Sequence, residues 1–547
     1  MRHVIIFFGL LLILFIQLIF STLNESPVFD ELAFAPAGYE FLTKHDFRFE
    51  PFSPPLTREI IALPMLLDNT VMQDPVFFWP RFMVMIFAVI LAVIVYFFAI
   101  RLYGKNAGLF ALFLYVFNPE ILARGHYAMT DFITAFFIVL SVFIFLTWKK
   151  NFTYSKIILF GIVIGCALAS KFTSLPYLLI TFVSIALLEC KTRVFKKVFW
   201  RKKIGRLFFL IGTTLVMVWA TYFFTWEPAL GYRFDTNRLA VQLAKTNPLV
   251  KFGLEVPIPL GSYLSTIKIN IRHNSTNDFV KESVFWGNYS KFSFPGLAII
   301  PIFLIKTPIP FLIFSMVGIF MWYQSLGEKV SGKKLIKKSN NFFYKLAHLK
   351  EKNVEKTLPI ILILVVFITM LASHVLLVIR YILPVYPFLA ILSSQVVLVN
   401  SRKLKFAIFL LSLWYVVGTV SASPHYISYV NEFIGGSDNA YKYVAEGNLD
   451  LGQGLIALSK YQRENRINNL QLAYFGVADP QDYGISYERI YDRSIADDKK
   501  IVSLKLEGNT VAISATCWYF CGYYKNPLIM SLKPVDVVGG SILIFHR

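Results

Sequence analysis

Ionisable side chains gather where this chain's apolar runs end. Asp30 and Glu31 follow the first run. Arg81 opens the second. Arg124, His126 and Asp131 lie between the third and fourth, and Lys171 between the fifth and sixth. Lys306 stands near the start of the eighth, and His374 and Arg380 lie between the ninth and tenth. A charge near hydrocarbon costs on the order of 2.5–3.5 kcal/mol at mid-helix, so such groups mark function by default. Span ends also carry charges as simple anchors, and that reading competes for any single residue. As a set, carboxylates mixed with cations suit a site that binds an anion and also needs a base. Asp30 and Glu31 form the leading catalytic pair, with Asp131 as a further carboxylate. Lys171, Arg380, Arg81 and His126 are candidates for holding a phosphate. Asp, Glu and His at this level could hold a divalent metal, although no ligand spacing demands one. The sequence lacks a G-x-x-x-x-G-K-[ST] loop, an H-E-x-x-H pair and any Asp-x-Asp. The first absence argues against a P-loop nucleotide site, and the last against a manganese-held nucleotide donor.

These residues need elements to place them. Apolar runs near 4–22, 77–100, 107–122, 131–148, 157–170, 173–190, 207–225, 297–322, 358–377, 381–399 and 405–422 predict about eleven transmembrane helices, several near the lower length limit. The first, after Met-Arg-His and without a small-residue cleavage site, reads as an uncleaved signal anchor. With the amino terminus inside, the inside loops are 101–106, 149–156, 191–206, 323–357 and 400–404. Loop 191–206 holds eight basic residues and no acid, and loop 323–357 nine Lys and three Glu. Every inside loop is net positive, which predicts this orientation. Asp30, Asp131, Lys171 and Arg380 then share the outer side. Leu32–Thr43 and Leu56–Leu67, too short to span, read as interfacial helices joined through the rigid Pro54-Pro55 turn. Gly161-x3-Gly165-x3-Ala169 predicts a face where two helices approach closely.

The 547 residues are 56% hydrophobic and only 16% charged, which excludes a disordered chain or an ordinary soluble domain. The net charge of +21 would ordinarily raise nucleic acid as a partner. The inside loops account for that charge, so no basic patch is left and no nucleic-acid partner is expected. Beyond residue 422 the apolar runs shorten. Asp450–Asn465 reads as a helix, and Leu470–Gly476, Ile501–Leu506, Thr510–Cys517 and Ser541–Phe545 as strands. The division expected is a transmembrane domain, 1–422, with outer loops 23–76 and 226–296, and a small extracytoplasmic α/β domain, 423–547. Cys166 and Cys190 lie in apolar runs. Cys517 and Cys521 form either a disulfide or two buried thiols.

The segment Phe29-Asp30-Glu31, Tyr39, Pro54-Pro55-Leu56 and Ala62-Leu63-Pro64 resembles the first outer loop of GT-C fold membrane glycosyltransferases. More narrowly it resembles family 39, the protein O-mannosyltransferases and the related aminoarabinose transferases. Gly125-His126 to Thr130-Asp131, Ala169-Ser170-Lys171-Phe172-Thr173, Lys306-Thr307-Pro308 and Arg380-Tyr381 to Pro384 resemble later signatures in the same order. Pro424-His425-Tyr426, Asn431-Glu432 and Asn448-Leu449-Asp450-Leu451-Gly452-Gln453 resemble phospholipid-carrier-dependent members. Ser53 stands where the aminoarabinose transferases have Lys, Asn288 where many relatives have Glu, and Leu451 where Trp is usual.

The resemblance implies a GT-C-like α-helical polytopic protein of the cytoplasmic membrane. It implies an inverting transfer from a polyprenyl-phosphate-linked sugar to a hydroxyl of a protein, lipid or glycan on the outer face. The first-loop Asp of the family carries over to Asp30 as general base, and the groups around the donor phosphate to Asp131, Lys171 and Arg380. Membrane lipids are the other expected partners. Two readings compete: a transporter or flippase using the same charges as a path, and a non-catalytic assembly subunit for a lipid-linked glycan.

Overall fold

The computed structural model describes residues 1–149, 151–192, 198–228, 247–248, 252, 255–276, 282–291, 295–327, 351–373, 378–490 and 509–546. His374 and the predicted strand Ile501–Leu506 lie outside the described residues. Helices α1 (Arg2–Asn24), α4 (Phe78–Tyr103) and α7 (Thr130–Trp148) form on the first, second and fourth apolar runs. Among the described residues six helices are long and apolar enough to cross a membrane, and five more are shorter and apolar. The pair α5 (Lys105–Val116) and α6 (Pro119–Gly125), bent by 64°, is a seventh crossing when counted as one span. Pro119 cannot continue the α5 ladder, and Asn118 caps α6 by accepting from Glu120 N and Ile121 N.

The eighth apolar run differs from the single helix expected over 297–322. It breaks at Thr307-Pro308 into Ile299–Lys306 and Ile309–Gly327. Pro308 disfavours helical backbone at the residue before it, and Thr307 is extended. Lys306 therefore ends a short helix instead of starting a span. The glycine stripe does what its spacing predicts. A Cβ on Gly161 of α8 (Tyr154–Ser170) would lie 1.9 Å from Thr213 Oγ1 of α10 (Val198–Ala220), and one on Gly165 2.6 Å from Met217 Cβ.

The loops expected on the outside, 23–76 and 226–296, carry α2 (Phe29–Lys44) and α3 (Leu56–Ala62), both close to the expected interfacial helices. They also carry two hairpins, β1 (Trp226–Pro228) with β2 (Pro257–Pro259) and β3 (Glu282–Phe285) with β4 (Asn288–Lys291). In the tail, strands β5 (Leu470–Ala473), β6 (Glu488–Arg489), β7 (Thr510–Ser514), β8 (Asp536–Val538) and β9 (Ile542–His546) make one sheet in the order β6-β5-β7-β9-β8. The β5–β6 and β5–β7 pairs are parallel, the rest antiparallel. Alternation sorts its side chains: Val511, Ile513, Leu543 and Phe545 enter one core, and Ala512, Ile542 and Ile544 another. The helix expected over Asp450–Asn465 begins only at Leu455, because Asp450–Gly454 is spent on a turn. Thr510–Cys517 leaves the sheet after Ser514, whose hydroxyl caps the helix Ala515–Phe520. Cys517 and Cys521 are joined as a disulfide.

Candidate active site

Asp30 and Glu31 sit in the first turn of α2, where a helix amino terminus favours carboxylates. Their surroundings separate them. Glu31 is fully buried. It accepts from Val28 N (2.8 Å), closing the helix start, from Ala128 N (2.7 Å), and from Arg81 Nε and Nη2 (2.8 Å each). Arg81, also fully buried, donates to the carbonyls of Thr22, Glu25 and Ser26. This pair fastens α2 to α1, α4 and the segment before α7. Glu31 and Arg81, expected as a catalytic carboxylate and a phosphate ligand, lie in this buried pair, whose polar edges are all spent on each other and on backbone groups.

His126, expected as a phosphate ligand, is likewise engaged inside the protein. It is fully buried between the Leu122 carbonyl (2.7 Å) and Glu25 Oε2 (2.9 Å). Glu25, singled out by no motif, also accepts from Tyr127 (2.6 Å) and contacts His425 Nδ1 (3.1 Å). Burial opposes its ionisation, but the two histidines outweigh that and hold the Glu25 carboxyl down at about 2.

Four residues remain together, three of them open. Arg380, in the single turn Ile379–Ile382, pairs with Asp30, and its Nε lies 3.8 Å from Asp131 Oδ2. Lys171, just beyond α8, reaches Asp131 Oδ1 at 2.5 Å. Asp30, Arg380 and Lys171 keep 17–19% of their side-chain surface exposed, which leaves them reachable. Asp131 begins α7 and is nearly buried. The ring of Tyr381 lies 4.4 Å beneath Lys171 Nζ and 5.7 Å from the Arg380 guanidinium, so both cations rest on one aromatic face. Arg380 Nε has no hydrogen-bond acceptor. Asp131, Lys171, Arg380, Tyr381, Thr134 and Tyr177 line a small cavity. The arrangement alternates carboxylate, cation, carboxylate, cation, with one unspent guanidinium donor. It can hold an anion against Arg380 and Lys171 while Asp30 stands at the same guanidinium.

The Pro54-Pro55 turn leads into α3 in the first loop. Arg58, on α3, is buried and donates to the carbonyls of Glu50, Ser53 and Pro54, so a side chain shapes the turn from within. Burial raises the Glu50 carboxyl, and the nearby Asp30 adds to that. A second buried charge cluster lies deeper. Glu120 stands 3.7 Å from Arg124 and 3.1 Å from Lys306. Its signal in the sequence was the Glu120-x3-Arg124 spacing on a membrane helix. Among the described residues no three His, Cys, Asp or Glu groups are arranged to hold a metal ion.

Residues 5–229 match the family described as dolichyl-phosphate-mannose-protein mannosyltransferase. No curated protein sequence matches the chain. Among solved structures, ArnT from Cupriavidus metallidurans bound to undecaprenyl phosphate is 12% identical, with 99% of this chain and 97% of that one covered and a TM-score of 0.49. The Archaeoglobus fulgidus oligosaccharyltransferase in its apo form is 14% identical, with 80% and 57% covered and a TM-score of 0.45. The S. cerevisiae protein O-mannosyltransferase Pmt1-Pmt2 complex bound to the sugar donor is 17% identical, with 44% and 37% covered and a TM-score of 0.36. The family match spans α1 to α10, the stretch that supplies Asp30, Asp131 and Lys171, and with the apolar helical architecture it makes this chain a polytopic membrane glycosyltransferase similar to the dolichyl-phosphate-mannose-protein mannosyltransferases.

Proposed function

We propose that the protein transfers a sugar from a polyprenyl-phosphate-linked donor to a hydroxyl acceptor at the outer face of the cytoplasmic membrane, with inversion at the anomeric carbon. The observation that carries this is the Asp30–Arg380–Asp131–Lys171 chain. Arg380 is shared between two carboxylates and keeps an unspent donor, so a donor phosphate has a guanidinium to bind. When that phosphate draws Arg380 and Lys171, Asp30 loses its partner and is free to accept a proton. The acceptor O–H gives its proton to Asp30 as its oxygen attacks the anomeric carbon from the face opposite the phosphate. The carbon–oxygen bond to phosphate breaks, and its electron pair leaves on the polyprenyl phosphate. Arg380 and Lys171 stabilise that growing charge, and no strong general acid is needed. Asp131 acts as a positioning residue by holding both cations. The mechanism assigns no step to a metal.

The net-positive loops support an inside amino terminus. The division into a membrane domain, 1–422, and an extracytoplasmic α/β domain, 423–547, follows the change from apolar helices to the five-stranded sheet. The deciding assay follows release of polyprenyl phosphate from radiolabelled lipid-linked sugars by purified protein. Asp30→Asn keeps the shape and removes the base, so turnover should fall by about 10²-fold or more. Wild-type turnover in that variant would end the assignment of Asp30. No release by the wild-type protein from any polyprenyl-phosphate sugar would end the reading as a whole.

A further inference from the structure

The two halves of this site come from distant parts of the chain, and one short loop of the tail touches both. The loop runs from Glu446 to Gln453 and is locked from within. Asp450 accepts from Gly452 N (3.0 Å) and Thr516 N (2.9 Å), and Thr516 Oγ1 donates to the Asp450 carbonyl (2.8 Å). Gln453 accepts from Leu451 N (2.8 Å) and donates to the Leu449 carbonyl (2.9 Å). Outward, the Leu451 carbonyl accepts from Phe29 N (3.0 Å), and the Gln453 carbonyl from Ser26 N (3.1 Å). The amino terminus of the Asp30 helix thus hangs from this loop.

The same loop holds the arginine. Asn448, 4% exposed, accepts from Ile379 N at 2.9 Å, the residue that opens the single turn carrying Arg380. A four-residue turn has almost no ladder of its own, so its first N–H needs an outside acceptor. Next to it, Gly447 packs on Val378 so closely that a Cβ there would lie 2.7 Å from Val378 Cγ1. We infer that Asn448 is a positioning residue for the sugar-transfer reaction: it fixes the Ile379–Ile382 turn so that Arg380, paired with Asp30 before the donor binds, is within reach of the phosphate. This rests on the proposed role of Arg380 as a phosphate ligand.

The test uses the full-length protein in detergent and decaprenyl phosphate as the probe, so neither sugar nor acceptor need be known. Arg380→Ala and Asn448→Ala should each weaken binding, Asn448→Ala by about tenfold, the worth of one buried hydrogen bond. In the double variant the losses should not multiply, because without the guanidinium there is nothing left to position. A general structural role would give losses that multiply. Should Asn448→Ala fail to fold, Gly447→Ala moves the same turn by crowding Val378, and adding Val378→Ala should restore binding. Wild-type affinity in Asn448→Ala, multiplying losses, or no restoration by Val378→Ala would each overturn the positioning role. Wild-type affinity in Arg380→Ala would instead remove the phosphate role beneath it.

Discussion

Adjacent carboxylates can have opposite fates, and Asp30 and Glu31 show what decides. One helical step separates them, yet Glu31 is saturated by two backbone N–H groups and a guanidinium while Asp30 faces a shared arginine. Depth alone set both apart without ranking them, and only the resemblance singled out Asp30, because the partners that saturate Glu31 lie 50 and 97 positions away. The buried partners of His126 and Arg81 were hidden for the same reason. Asp131, Lys171 and Arg380 were legible as a mixed set at one level of the membrane. Glu59 on α3 makes a different point. It is nearly buried, and its Oε1 has no partner. Burial lifts its carboxyl to about 8, against the pull of Arg58. The folded state therefore holds a proton that the unfolded state has already lost, and stability falls as pH rises from about 4.5 to about 8. Glu59→Gln removes that loss. It should raise the midpoint of thermal unfolding at pH 9, with the gain shrinking toward pH 4. An equal effect at both pH values would show that ionisation is not what Glu59 costs.

At the scale of elements, hydropathy told where helices lie, because a long apolar run has few alternatives in a membrane. It did not tell where they break. The bends at Asn118-Pro119 and Thr307-Pro308 were visible as prolines, but both were absorbed into continuous runs. In the tail, β5 and β9 were legible from alternation, whereas β6 and β8, edge strands of two and three residues, are too short to show a period. The contact of α8 with α10 was legible from small residues at every fourth position, and its tightness makes it testable. Gly161→Val would drive two methyl groups into Thr213. Overpacking of this kind costs about 1–3 kcal/mol, so the variant should unfold at lower temperature in detergent. Thr213→Ala should recover part of the loss. No change with Gly161→Val would show that the two helices separate freely.

For the whole molecule, the +21 net charge is what supports the proposed orientation, and labelling tests it. Cysteines placed singly in loop 323–357 should be shielded from an impermeant thiol reagent in intact cells, and one at exposed Val535 in the tail should react. The reverse pattern would put the proposed chemistry on the other face. The tail was legible as an α/β region. Its role as a clamp was not, since its hydrogen bonds reach residues more than 400 positions away.

The Glu120–Arg124–Lys306 cluster has a consequence for synthesis. Lys306 donates to the Ile427 carbonyl at 2.6 Å, and Arg124 to the Gly447 carbonyl at 2.5 Å. Both acceptors lie beyond the last membrane helix, Arg402–Ser421, and so are made after it. Until then two cations and one carboxylate sit in the bundle with donors unspent, and the third crossing must wait more than 300 residues for its final partner. The bundle thus matures from its carboxyl end backward: arrival of the tail is the step at which the buried charges of the membrane region become affordable.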